Sequence, residues 1–136
     1  NLETSVPGIF ACGNVLHVHD LVDNVSAEGE KAGKSAAEYI EGEKGGDLIL
    51  TLPGDGLGYL CPQQIRKEAK DDNVNLFFRV RTPLKTSVLE VYGDGKLLKK
   101  IPKIRLVPSE MESVHLKRSD LANIKEVSIV AKEVTR

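Results

Sequence analysis

From Val74 to Arg81 the chain alternates between apolar and polar residues, with Val74, Leu76, Phe78 and Val80 on one face. Successive side chains of a strand point to opposite faces, so this two-residue period predicts a half-buried strand. A second strand, Val88–Tyr92, runs through Gly93-Asp94-Gly95 into Lys96–Ile101. A short Asp-Gly connection between two such runs is a strong hairpin signal, because it accepts the left-handed backbone that tight hairpin turns require.

Other short apolar runs surround this pair. Leu48–Leu52 reads as a strand, and Pro53-Gly54-Asp55-Gly56-Leu57-Gly58 as a glycine-rich loop. Tyr59–Ile65, with Cys61-Pro62 inside it, reads as irregular or as an edge strand, and Lys70–Asn73 as a turn. Ile104–Val107, Ser113–Leu116 and Val127–Ala131 complete the strands, with a helical turn over Ser119–Asn123. Six or seven short strands at this spacing predict a mainly antiparallel β-sandwich of immunoglobulin-like or fibronectin-like type.

The first forty residues have another character. Gly8-Ile9-Phe10-Ala11-Cys12 is apolar without alternation, which suits a short strand covered on both faces. A connection over 15–22 carries His17, His19 and Asp20. Asp23 or Asn24 can then cap a helix running to about Glu41. Its expected inward stripe is Val25, Gly29, Ala32, Gly33, Ala36 and Ile40. Its outer face carries Glu30, Lys31, Lys34, Glu38 and Glu41, with Glu30 and Lys34 spaced as a favourable pair. Glycine is costly inside a helix, so Gly29 and Gly33 imply close approach to a sheet or a cofactor. Gly42 can end the helix, and Glu43-Lys44-Gly45-Gly46 reads as a linker. The expected division is 1–42, a strand–helix unit, and 43–136, a β-sandwich domain; the class is α+β.

Hydrophobic residues make up 40% of the chain, enough for a core. With 19 basic and 20 acidic residues and almost no aromatic platforms, the chain lacks the electrostatic footprint of a nucleic-acid binder. No apolar run is long enough for a membrane span. Cys12 and Cys61 are far apart and form no redox pair, which suits a reducing cytoplasm.

Thr4-Ser5-Val6-Pro7-Gly8-Ile9-Phe10-Ala11-Cys12-Gly13-Asn14 resembles the second flavin-binding motif of the FAD-dependent pyridine nucleotide-disulfide oxidoreductases, a group that includes thioredoxin reductase-like proteins. The family pattern is Thr-Ser-x-Pro-Gly-Ile-Phe-Ala-x-Gly-Asp, followed by a loop and a helix with glycine and paired alanines; Gly33, Ala36 and Ala37 fit that helix. The resemblance covers about the first 42 residues. It implies that 1–42 is the terminal strand and helix of a Rossmann-like FAD-binding domain, lying C-terminal to missing FAD and NAD(P) domains. It also implies FAD as cofactor and NAD(P)H as co-substrate of a parent enzyme, this piece alone being inactive. Gly13 and the residue after it would meet the flavin ribityl chain, where the family's aspartate is here Asn14. Asparagine still bonds a hydroxyl, without the assistance of charge. Backbone groups of Asn24 and Val25, at the helix N-terminus, would face the flavin pyrimidine edge, where reduced flavin carries negative charge.

The family's G-x-G-x-x-G is absent, and Gly54, Gly56 and Gly58 read as a loop because no helix follows them. The strand and the helix of the first unit are expected to be covered by the missing domains or by a swapped second copy, or else to be disordered. The second unit is expected to dock a second protomer or a partner dehydrogenase subunit. His17 and His19 share a face of an extended chain and can form a metal pair with Asp20; a solvated or flavin-adjacent loop is the favoured alternative, and no metal site is expected. Cys12 reads as a buried small hydrophobe and Cys61 as structural. His115 is expected on an open strand face. Lys96, Lys99, Lys100, Lys103 and Arg105 read as solvated, edge-protecting cations rather than a docking patch.

Overall fold

The computed structural model describes residues 1–42 and 46–134. Three of the four expected linker residues, Glu43, Lys44 and Gly45, lie outside the described residues. Among the described residues one α-helix, α1 (Val22–Ile40), precedes eight strands: β1 (Leu48–Pro53), β2 (Leu57–Cys61), β3 (Gln64–Arg66), β4 (Asn73–Val80), β5 (Ser87–Gly93), β6 (Lys96–Lys103), β7 (Glu112–Lys117) and β8 (Glu126–Glu133). A five-stranded sheet has the order β3-β1-β8-β5-β6, and a three-stranded sheet the order β2-β4-β7. All pairings are antiparallel except β1 with β8.

The two sheets share one core, an arrangement compatible with a β-sandwich. Val74, Leu76, Phe78 and Val80 of β4, the face marked by alternation, meet Leu89 and Val91 of β5 and Val127 and Ile129 of β8 in that core. The hairpin closes at Asp94 and Gly95, both at positive φ (47° and 77°), as a type I′ turn requires at its two central residues. The Tyr59–Ile65 region supplies an edge to each sheet, through β2 and β3. Ile104–Val107 does not form the expected strand. Ile104 is exposed and only Leu106 is buried, held by a single bridge to Leu84.

β6 is the other edge of the larger sheet, and three of the cations on or just after it form ion pairs. Lys100 pairs with Glu90, Lys103 with Glu112, and Arg105 just beyond it with Glu110. This fits the edge-protecting role, since charged side chains oppose pairing with a further strand.

Residues 8–12 are not a strand. Phe10 makes one bridge, to Glu3, and Ile9 is exposed. Cys12 is half-buried rather than buried. A lone extended segment has no ladder to join, so its backbone folds back on residues 2–4, with Ala11 N–H donating to Leu2 O and Thr4 N–H to Ile9 O.

The helix also departs from expectation at its start and in its orientation. Leu21 occupies the N-cap position, so neither Asp23 nor Asn24 caps it, and no side chain bonds the first turn. The buried residues are Glu28, Ala32 and Ser35, whereas Gly33 and Ile40 are exposed. No other residue approaches the positions that side chains at Gly29 and Gly33 would fill. The expected Glu30–Lys34 pairing gives way to one between Lys34 and Asp71, 3.8 Å apart.

Candidate functional site

The loop before α1 and the second turn of that helix meet in one buried cluster. Glu28 sits two turns into α1, with its side chain facing the loop. One of its oxygens lies 3.0 Å from His17 Nε2 and the other 2.8 Å from His19 Nε2. The second oxygen also accepts the Gly13 N–H at 2.6 Å. The side chains of His17, His19 and Glu28 are 3%, 2% and 7% exposed.

Burial alone would raise the Glu28 pKa, but the hydrogen bonds from His19, His17 and Gly13 outweigh it and hold the carboxyl below its ordinary range. His17 Nδ1 lies 3.4 Å from the Tyr59 hydroxyl on β2, and its ring packs against Tyr59 and Phe77. His19 Nδ1 is buried and has no hydrogen-bond partner among the described residues. A cavity of about 280 Å³ opens beside His19 and Glu28, walled in part by Asn24, Cys61 and Phe77. The Cys61 thiol is pushed up to about 12, by burial first and then by the nearby Glu28 charge, so it stays protonated and inert.

The residues expected to meet a flavin lie at the same end of the helix. Gly13, buried and at φ 68°, opens a 3-10 turn over Gly13–Val15. A side chain at Gly13 would lie 3.5 Å from Val25 Cγ1, so the turn and the first turn of α1 are in contact. Asn14 is exposed, and its Oδ1 accepts the His19 N–H at 3.4 Å. Asn24 is exposed, and its own amide turns back to Leu21 O. The Gly13 amide is committed to Glu28, which leaves the Asn14 side chain as the polar group there with an open face. His115 stands apart on the exposed face of β7, bonded to Asn75.

Glu28 escaped the sequence reading altogether. It lies nine and eleven residues beyond the two histidines, and only a helix folded back over the loop brings them together. Tyr59 is farther still, on another element.

No family model, curated protein or solved structure matches this chain.

Proposed function

We propose that the chain is the C-terminal part of an FAD-dependent NAD(P)H oxidoreductase, with 1–42 completing a Rossmann-like flavin domain and 43–136 forming an immunoglobulin-like or fibronectin-like extension. One observation carries the reading: the flavin-motif run Thr4–Asn14 ends in a glycine turn packed on a helix whose first turn is exposed and has no side-chain cap. The positive end of a helix dipole favours negative charge, the charge reduced flavin develops at its pyrimidine edge. NAD(P)H would deliver hydride to the flavin. This chain would contribute Asn14 to the ribityl hydroxyls and, near Asn24 and Val25, the positive end of α1 to the ring, the Asn24 N–H itself being bonded to Leu21 O. The exposed face of α1, from Val22 through Gly29 and Gly33 to Ile40, is where the remainder of the flavin domain would lie.

The test is the full-length gene product. It should purify yellow, release FAD on denaturation and oxidise NAD(P)H with an artificial acceptor; a colourless, folded product overturns the reading. Asn14→Asp in that protein should tighten FAD by about fivefold, because a charge-assisted hydrogen bond is worth roughly 1 kcal/mol more than a neutral one.

A second reading is that 43–136 is a non-catalytic module docking a partner subunit or second protomer. It is favoured by Leu48, Leu50 and Leu52, which are 38%, 47% and 45% exposed in one row on the outer face of the larger sheet. If that row is an interface, Leu50→Lys should lower the sedimentation coefficient of an associating wild type; an unchanged value removes this reading.

A further inference from the structure

We propose that His17, His19 and Glu28 form a binding site for one divalent first-row transition-metal ion, of the zinc class. One ligand atom from each of His17, His19 and Glu28 lies within 4.8 Å of the other two, in buried side chains, and both Nε2 atoms face the Glu28 carboxylate. Metal–nitrogen and metal–oxygen bonds in such sites are about 2.0–2.2 Å, so neighbouring ligand atoms stand roughly 3 Å apart. The two nitrogen–oxygen separations here are 3.0 and 2.8 Å. The ligand set therefore needs only small adjustments to close on an ion.

The donor chemistry selects the ion. Two imidazoles and one carboxylate suit zinc and its first-row neighbours, whereas calcium and magnesium demand oxygen donors. Three protein ligands leave a coordination position open, and the cavity beside His19 and Glu28 provides space for a water or a small ligand there.

The groups behind the ligands are in place as well. The Gly13 N–H fixes one carboxylate oxygen, and Tyr59 stands behind His17 Nδ1. Ligating histidines generally hand their other ring N–H to such a partner, which sets their orientation. Without an ion, each Nε2 carries the proton that it donates to Glu28. On binding, the Nε2 lone pairs turn to the metal and the two protons move, through solvent, to the Nδ1 atoms. His17 then donates to the Tyr59 oxygen. Nothing but Glu28 fixes the tautomer of His19, since its Nδ1 has no partner among the described residues.

The experiment uses the chain as it stands, with Zn²⁺ followed by calorimetry and Co²⁺ by its visible absorption. Wild type should saturate at one ion per chain. His19→Ala and Glu28→Gln, shown folded by circular dichroism, should lose more than the roughly 10–100-fold that changes behind the ligands cost. His115→Ala, remote from the cluster, should bind as wild type. Absence of saturable binding to folded wild type overturns the proposal, as does undiminished binding in the two folded cluster variants. If those variants do not fold, imidazole nitrogen NMR of wild type decides. Saturating Zn²⁺ should move the protonated nitrogen of His17 and His19 from Nε2 to Nδ1, and unchanged tautomers would show that Glu28 is only a hydrogen-bonded anchor.

Discussion

Gly13 and Glu28 divide the work of shaping the loop before α1. Gly13 holds a left-handed backbone that an L side chain enters at a cost of about 1–2 kcal/mol. A methyl group there would meet Val25 only at ordinary contact distance, so space is not the obstacle. Gly13→Ala should therefore lower stability by about 1–2 kcal/mol in urea denaturation without abolishing the fold; a neutral result would mean the turn relaxes. In the sequence Gly13 stands out only through the flavin-motif resemblance, which does not announce the turn it makes. Glu28 does not stand out, because a carboxylate on a helix among other charged residues looks like a solvated one. What distinguishes it is the pair of imidazoles folded over it, which local spacing does not reveal.

At the scale of the elements, periodicity revealed that α1 is amphipathic but not which stripe faces inward. The small apolar stripe was the natural choice. Of that stripe Ala32 is buried and Val25, Gly29 and Ala36 are half-buried, but Glu28 and Ser35 are buried beside them, the former satisfied by three N–H donors, while Gly33 and Ile40 face outward. The strands were easier to read, since β4 and the β5–β6 hairpin are local patterns. Charges within the sheet join strands that are distant in sequence. Glu90 on β5 is flanked by Lys132 of β8, by Tyr92 on its own strand and by Lys100 of β6, with oxygen contacts of 2.7, 2.6 and 2.9 Å. In that order these groups hold the Glu90 carboxyl down to about 2, from an ordinary 4.5. A depressed carboxylate stabilises the folded state above its unfolded pKa and loses that contribution as pH falls through its folded value. The three-strand clasp should thus be intact above about pH 4.5 and weaken towards pH 2. Glu90→Gln should lower the thermal midpoint at neutral pH and flatten its decline over that interval. A midpoint that falls as steeply in the variant as in wild type would assign the acid sensitivity to other carboxylates.

For the whole molecule, what matters is how the first unit is held to the sandwich. The parallel pairing of β1 with β8 brings together strands more than seventy residues apart, and no local pattern announced it. The docking of residues 1–42 was equally hidden, because it depends on single polar contacts between distant positions. The shared core of the two sheets contains no residue from this unit. Its attachment includes Glu3 to Arg66, Asp20 to Arg79 and the Met111 N–H, Lys31 and Lys34 to Asp71, and His17 to Tyr59 and Phe77. The Met111 hydrogen bond and the Arg79 guanidinium hold the Asp20 carboxyl below its usual range. Regions joined to a core by few contacts open separately from it. The Glu3 side chain is 5% exposed and that of Arg66 17%, so this pair is well shielded from solvent. Removing Glu3 leaves the guanidinium and the Gly8 N–H without that acceptor, and hydrogen bonds to charged groups are worth about 1.5–3 kcal/mol. Glu3→Ala should therefore speed amide hydrogen exchange across α1 by about ten- to a hundredfold and leave β4, β5 and β8 at wild-type rates. If exchange rises equally in the strands, the first unit and the sandwich unfold as one body, and the polar clasps are part of a single cooperative structure.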